Sequence, residues 1–491
     1  MITKFVSRFA LLVFVTCALA AEPVAPADST EARIGRVENG LLPRLLIKGT
    51  PRPKMSLSER MAYYKVPGVS VAVINNGAIE WARGYGVAEA GGKQPVTPET
   101  VFQAASISKP VAAMGALYLV EQGKLNLDED VNLKLKSWKV PENEFTKEKK
   151  VTLRALLTHS AGMTVHGFRG YAASEPVPSL LEVLDGRKPP ANSAPVRVDT
   201  VPGTKWRYSG GGFTVAQLLV MDVSGKSFPA FMKEVVLDKV GMKESTYEQP
   251  LPKDWVSRAT AGHSRNGEAV EGRWRTYPEK AAAGLWTTPS DLARFAIEIQ
   301  KSRAGNSTKV LSQKMIAEML KPGIGGRGLG IETNGEGRAA TFSHGGSNDG
   351  FRTMMFAYAE TGQGAVVMTN GESGALLYDE ILRSVAAEYG WPDYQVSKRE
   401  VTKVAPEIYQ SYAGSYQASN SQLTVLVEDG HLFLKAPNLG PRPIELFPES
   451  ETKYFAMMAD LTFTFVKDES GKVEIMIQPP RGEPVKAKRL N

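Results

Sequence analysis

Hydrophobic and polar positions along the chain change period three times. Ser56 to Tyr64 fits a short helix capped by Ser56, with Glu59 three residues on. Val69 to Ile74 and Ile79 to Val87 are rich in β-formers and flank Asn75-Asn76-Gly77, the signal of a hairpin turn. The apolar run Val111 to Glu121 then predicts a helix that ends near Gly123. Residues 153–163 read as a helix end running into a turn. Helical patterns follow over Phe213 to Val223, Pro229 to Val240 and from Thr288 to about Ser302. The Pro-, Ala- and Ser-rich stretch 166–204 is expected to be a long irregular loop, and such loops often shape clefts.

Strand-like patterns return at Leu329 to Glu332, Ala339 to Ser343, Phe351 to Tyr358 and Ala365 to Asn370, and a helix is predicted over Leu376 to Tyr389. Strands at both ends thus bracket a helical middle. The expectation is an α+β fold: one antiparallel sheet flanked by helices, with an inserted helical domain. After Trp391-Pro392 the period becomes two over Leu423 to Glu428, His431 to Ala436, Leu461 to Val466 and Val473 to Gln478. That predicts a small all-β C-terminal domain over 405–491, a barrel or sandwich.

The first 20 residues read as a secretory signal: Lys4 and Arg8 precede the apolar run Phe9 to Leu19, which ends in Ala18-Leu19-Ala20. The expected product is secreted or periplasmic. Residues 21–54, rich in Pro and charge, are expected to be a linker and lead-in, and 55–395 the main domain. The only cysteine, Cys17, lies inside the signal, so the mature chain is expected to hold neither a disulfide nor a thiol nucleophile. Loss of the two signal cations lowers the net charge from +7 to +5. Lys147, Lys149 and Lys150 alternate with Glu144 and Glu148, so no nucleic-acid stripe is expected. No later segment is apolar for long enough to predict a membrane span.

Candidate chemistry begins at Ser106 and Lys109, three residues apart at the head of the apolar helix, where Pro110 suits the first turn. One helical turn places the pair on one face. A serine hydroxyl needs a base within hydrogen-bond reach. Lysine serves only when its pKa falls from about 10.4 towards ~7–8. A second stretch is Trp206-Arg207-Tyr208-Ser209-Gly210-Gly211-Gly212, where a tyrosine beside a lysine can hold or release a proton. A third, Phe342-Ser343-His344-Gly345-Gly346-Ser347, closes a predicted strand; paired glycines allow close backbone approach, and the adjacent N–H groups suit half of an oxyanion hole.

Other matches carry less. The five histidines (His159, His166, His263, His344 and His431) show no metal-ligand spacing, and neither metal nor organic cofactor is expected. His159 beside Ser160 is read as a structural turn residue. Gly323, Gly325 and Gly328 fit G-x-G-x-x-G without the strand and helix that a dinucleotide site needs. Trp206, Trp274 and Trp286 are read chiefly as packing residues.

In order and approximate spacing, Ser106/Lys109, Tyr208 and His344-Gly345-Gly346 resemble the S-x-x-K, Y-x-N and K-T-G or H-x-G motifs of the serine β-lactamase and penicillin-binding-protein superfamily. The stretches Leu156 to Met163, Pro202 to Tyr208, Ala283 to Phe295 and His344 to Phe351 are similar as well, so the resemblance spans roughly residues 55–390. The branch looks like class C β-lactamases, D-aminopeptidases and family VIII carboxylesterases. The C-terminal part, opening with Tyr412-Ala413-Gly414-Ser415-Tyr416, looks like the lipocalin-like domain some members append.

The resemblance implies a β-lactamase/transpeptidase-like fold and acyl transfer to Ser106. Lys109 and Tyr208 would move the proton, the N–H groups of Ser106 and Ser347 would bind the oxyanion, and His344, Gly345 and Gly346 would face the substrate. The expected partner is a small ester, amide or peptide, and a homodimer is allowed for. One departure bears on substrate: Gly210 stands where the family usually carries Asn, whose amide helps hold the lysine and a substrate amide. With histidine in place of lysine at 344, this tilts the expectation towards esters. D-residue peptides, weak β-lactam hydrolysis and non-hydrolytic penicillin binding are the alternatives.

Overall fold

The computed structural model describes residues 29–419, 421–436, 443–457, 461–479 and 483–490. The signal proposed for 1–20 lies outside the described residues.

A six-stranded antiparallel sheet organises the main domain. Its strands are β1 (Gly68–Asn75), β2 (Ala78–Gly86), β3 (Glu332–Asn334), β4 (Thr341–Asn348), β5 (Phe351–Tyr358) and β6 (Gly364–Thr369). Their spatial order is β2-β1-β6-β5-β4-β3. The early hairpin and the late strands join where β1 pairs with β6, Val69 opposite Thr369 and Ile74 opposite Gly364. Everything between β2 and β3 is inserted, and it is mostly helical.

Both faces of the sheet are covered. In β1, Ala72 and Ile74 enter the core shared with the inserted helices, whereas Val69, Val71 and Val73 enter a second core under the terminal helices. Burial on both faces explains why β1 reads as a nearly continuous apolar run, interrupted only by the buried Ser70, rather than an alternation. On the first face lies α6 (Pro289–Arg303), with α3 (Ser108–Glu121) and α5 (Gly210–Ser224) sharing the same core; the second core holds α1 (Thr30–Glu38), α2 (Leu57–Tyr64) and α8 (Gly374–Glu388). The insertion also carries α4 (Leu153–Leu157), α7 (Gln313–Leu320) and several shorter helices.

The expected linker is corrected over 30–47. Ser29 caps α1, whose Ile34 and Val37 are buried against the second core, and Arg36 pairs with Glu388 of α8 at 2.6 Å. Leu45–Ile47 forms a parallel ladder with Ser397–Arg399. The apolar pair three residues apart that drives α1 was masked by the charged residues around it. The irregular stretch 166–204 contains one short helix, Leu180–Asp185, with a Ser179/Glu182 capping box. Helix α7 was not anticipated. Strand β4 is longer than expected and carries the His344-Gly345-Gly346 motif within it, because Gly345 and Gly346 pair with Met354 and Thr353 of β5.

The C-terminal domain is a closed barrel of eight antiparallel strands from Gly414–Ala418 to Val485–Arg489. The helix Pro406–Tyr412 leads into it, and Tyr412 stacks on Phe465 with ring centroids 4.0 Å apart. Tyr416, Tyr454, Phe463, Phe465 and Ile475 are buried in its core. Full closure removes the sheet edges that an open β domain would expose. Among the described residues no helix is long and apolar enough to cross a membrane.

Candidate functional site

Ser106 lies in a single 3-10 turn, Ala105–Ile107, that feeds directly into α3. Ala105 holds φ +50°, a left-handed conformation that alanine rarely adopts. Strain of this kind persists only where the surroundings fix it. Here they do: Ala104 N–H donates to Leu285 O at 2.9 Å, Leu285 N–H to Ser108 Oγ at 2.9 Å, and Tyr247 O–H to Ser108 O at 2.7 Å. The turn that carries Ser106 is therefore clamped from both sides by the segment around Leu285.

Lys109 is buried, 2% exposed, and its ammonium donates to Ser106 Oγ at 3.1 Å and to Ala282 O at 2.8 Å. The spacing of one helical turn brings the pair together as expected. Among the described residues no carboxylate lies within ion-pair distance of Lys109. Its other neighbours are the rings of Tyr208, with the centroid 4.9 Å from Nζ, and Phe213, at 5.7 Å. A cation over aromatic faces keeps an attractive interaction without an acid to stabilise its charge.

Tyr208 precedes α5, whose N-cap is Ser209: Ser209 Oγ accepts the Gly212 N–H at 2.9 Å. Its ring is packed against three imidazoles, those of His159 at 4.3 Å between centroids, His166 at 5.0 Å and His344 at 6.5 Å. His159 belongs to the turn after α4 and has φ +57°. Its Nδ1 accepts the Ser209 N–H at 3.1 Å, so the proton of the neutral ring sits on Nε2. Burial, then the Lys109 charge, holds its pKa well below the usual value. His159 is thus a support beneath Tyr208. The Ser160 hydroxyl bonds instead to Thr158 Oγ1 at 2.9 Å, so the two adjacent residues form no dyad.

His344 is buried in β4. Burial, with the Lys109 charge second, pushes its pKa down to about 3. Its Nδ1 donates to Gly345 O at 2.7 Å, because a carbonyl only accepts; Nε2 is left as an acceptor in the neutral ring. The two glycines after it differ. A Cβ on Gly345 would meet Met354 Cε at 3.5 Å and Thr353 O at 3.9 Å, both ordinary contacts, whereas one on Gly346 would overlap Ala104 O and Thr353 Oγ1. Thr353 Oγ1 itself donates to Ala104 O at 3.0 Å. Gly346 is what lets β4 lie against the turn that carries Ser106, with Ser347 next along the strand and exposed.

Of the sequence candidates, the structure brings Ser106, Lys109, Tyr208 and His344 into one cluster and sets Gly346 against the turn that carries Ser106. His159 and His166 join the same cluster. The sequence offered no signal for their contact with Tyr208, since each pairing crosses more than 40 positions. Trp286 is fully buried and Trp274 packs edge-on against it at 5.1 Å, as packing residues do. Trp206 differs: it is 36% exposed and carries Arg327 over its ring at 5.0 Å. Among the described residues no group of three or more His, Cys, Asp or Glu is placed to hold a metal ion.

Over residues 56–388 the chain matches the family described as Beta-lactamase. It is 26% identical to Penicillin-binding protein 4* of Bacillus subtilis (strain 168) over 428 residues, covering 81% of this chain and 90% of that one. Among solved structures it is similar to the octameric penicillin-binding protein homologue from Pyrococcus abyssi (TM-score 0.59, 22% identity, 88% of this chain and 98% of that one). It is also similar to the D-amino acid amidase from Ochrobactrum anthropi SV3 complexed with L-phenylalanine amide (TM-score 0.55, 22% identity, 68% and 97%). At these identities the two structures speak for the fold, including, in the first, an overlap that reaches most of the chain.

Proposed function

This chain belongs to the Beta-lactamase family, a family of serine hydrolases, and from that premise we propose an exported acyl-transfer enzyme in which Ser106, Lys109 and Tyr208 act on small esters or amides. The observation that carries the reading is the 3.1 Å approach of Lys109 Nζ to Ser106 Oγ, with the ammonium anchored on Ala282 O and unopposed by any carboxylate among the described residues. Acting as the base requires Lys109 as the neutral amine, which can still donate to Ala282 O while its lone pair takes the Ser106 proton.

In the proposed cycle Ser106 Oγ attacks the substrate carbonyl and its proton passes to Lys109. Tyr208, over whose ring Lys109 Nζ stands, relays the proton to the leaving group. The N–H groups of Ser106 and Ser347 receive the oxyanion. Water then attacks the acyl carbonyl, Ser106 is regenerated, and the acid leaves. His344 enters as a neutral acceptor. A neutral ring beside the carbonyl gives no cation to pair with a substrate carboxylate, and Gly210 gives no side-chain amide, so the reading leans to esters.

The relationship to Penicillin-binding protein 4* favours a second reading, a D-residue peptidase or a protein that acylates and turns over slowly. Export rests on the charge and apolar pattern of residues 1–20. The discriminating experiment compares hydrolysis of p-nitrophenyl butyrate, nitrocefin and a D-alanyl peptide by one preparation. Ester turnover at least about tenfold above the other two supports the first reading, and peptide or β-lactam turnover of equal size supports the second.

A further inference from the structure

The segment Thr164–Phe168 closes over the start of α5 and reaches the ring of Tyr208. Gly210 N–H donates to His166 O at 3.0 Å, Gly211 N–H to Val165 O at 3.0 Å, and Ser209 Oγ to Thr164 O at 2.8 Å. The packing is tight. A Cβ on Gly210 would lie 3.0 Å from Phe168 Cε2 and 3.2 Å from His166 O, and one on Gly211 would lie 2.6 Å from Thr164 O. Glycine at these positions is therefore what admits the segment, and the segment fills the space a side chain at 210 would take.

Val165 meets this path with φ +63°. A β-branched residue in the left-handed region is a true outlier, and strain held in place next to a reactive group points to function. The path sets the His166 side chain beside Tyr208 and the Phe168 side chain beside Gly210, two residues further on. The His166 imidazole is exposed, with its centroid 5.0 Å from the Tyr208 ring and tilted at 43°. Phe168 is half-buried against the helical core. Trp206 adds a third partly open ring behind His159, 6.5 Å away and edge-on. Apolar walls with one or two directional polar groups are the usual make-up of a small-molecule site.

We propose that His166 and Phe168 form a recognition wall beside Tyr208 that selects substrates whose acyl group is an apolar alkyl or aryl chain. Phe168 packs against the chain, and His166 hydrogen-bonds at the mouth of the site, above the reacting carbonyl. The pair determines specificity; neither takes part in the proton transfers. This deepens the acyl-transfer reading above and rests on it.

The test uses the full mature chain and three variants, Phe168→Ala, His166→Ala and His166→Gln. The alanine at 166 keeps the main-chain carbonyl that holds Gly210, and its side chain is exposed, so the fold is preserved. KM and kcat are measured for p-nitrophenyl acetate, butyrate, hexanoate and phenylacetate, together with the affinities of methylboronic and n-hexylboronic acid, which add reversibly to a serine hydroxyl without turnover. Phe168→Ala is expected to raise KM for hexanoate and phenylacetate about tenfold while changing acetate less than about twofold. His166→Ala is expected to raise KM about fivefold with kcat nearly constant, and His166→Gln to restore most of the loss. Equal effects on acetate and hexanoate, or none, overturn the proposal while leaving the acyl-transfer reading intact. If the unaltered protein turns over no ester, the Ser106-dependent boronic acid affinities decide by the same chain-length comparison. Absence of both turnover and boronate binding overturns the reading and the inference together.

Discussion

Gly346 of β4 runs so close to Ala104 that a Cβ on it would overlap the Ala104 carbonyl oxygen, two residues before the serine of the S-x-x-K pair. This contact ties the strand that carries His344 to the turn that carries Ser106. Gly346→Ala is expected to force the strand and the turn apart. We expect a loss of about 1–3 kcal/mol in stability and a fall of about 100-fold in ester turnover, since misplacement by about 1 Å costs that much. Gly345→Ala, whose Cβ meets nothing nearer than Met354 Cε at 3.5 Å, is expected to stay within about twofold of the parent rate. Thermal melts and initial rates on the two variants check the contrast.

Lys109 is held by Ala282 O as well as by Ser106 Oγ, so its position does not depend on Ser106 alone. Lys109→Met keeps the packing volume and removes the proposed base. Its kcat is expected to fall by about 10²–10⁴-fold, the range for loss of a positioned proton acceptor, with KM changed little. A variant that kept its kcat would mean that Lys109 is not the base.

His344 has its pKa pushed down to about 3 by burial, so the folded protein binds fewer protons there than the unfolded chain between about 6.5 and 3. Stability from this group is therefore present above about 6.5 and is lost as the pH falls towards 3. His344→Asn removes that dependence. Melting temperatures of the parent, measured against those of His344→Asn, are expected to decline from pH 6 to pH 4 and to run parallel above pH 7.

Glu279 is fully buried, and among the described residues neither carboxyl oxygen has a hydrogen-bond partner. Burial raises its pKa from the ordinary 4.5 to about 8. The sign is the reverse in pH: a folded-state pKa above the unfolded one gives stability that is present below about 4.5 and lost as the pH rises through about 8. Glu279→Gln keeps the shape without the charge. The melting temperature of the parent is expected to fall relative to Glu279→Gln between pH 5 and pH 8.5, and equal slopes would show that the carboxyl is already ionised or solvated.

Much of this was legible from residue pattern. The hairpin around Asn75-Asn76-Gly77, the Ser56-capped helix, and strand Phe351–Tyr358 read correctly because each is local: a turn, a cap, a period. The Ser106–Lys109 contact was legible for the same reason, being one helical turn. Tyr208 could be attached to that pair only through the family resemblance, because 99 positions separate it from Lys109 and no periodicity spans them. Helix α1 and the short helix Leu180–Asp185 were hidden by polar and Pro-rich surroundings, and their stability comes from tertiary burial of Ile34, Val37, Val183 and Leu184. Gly210 read as a missing amide. In the folded chain it is a glycine needed for the approach of Phe168 and His166, a relation that no one-dimensional pattern displays.

The central claim is that Ser106 is an acylated nucleophile. Its most direct test is intact-mass detection during p-nitrophenyl butyrate hydrolysis by protein lacking residues 1–20, beside Ser106→Ala. The account predicts turnover with a transient butyryl adduct in the first, and neither in the second, with the rate reduced by at least about 10³-fold. Undiminished turnover in Ser106→Ala, or an adduct that survives the substitution, would contradict it.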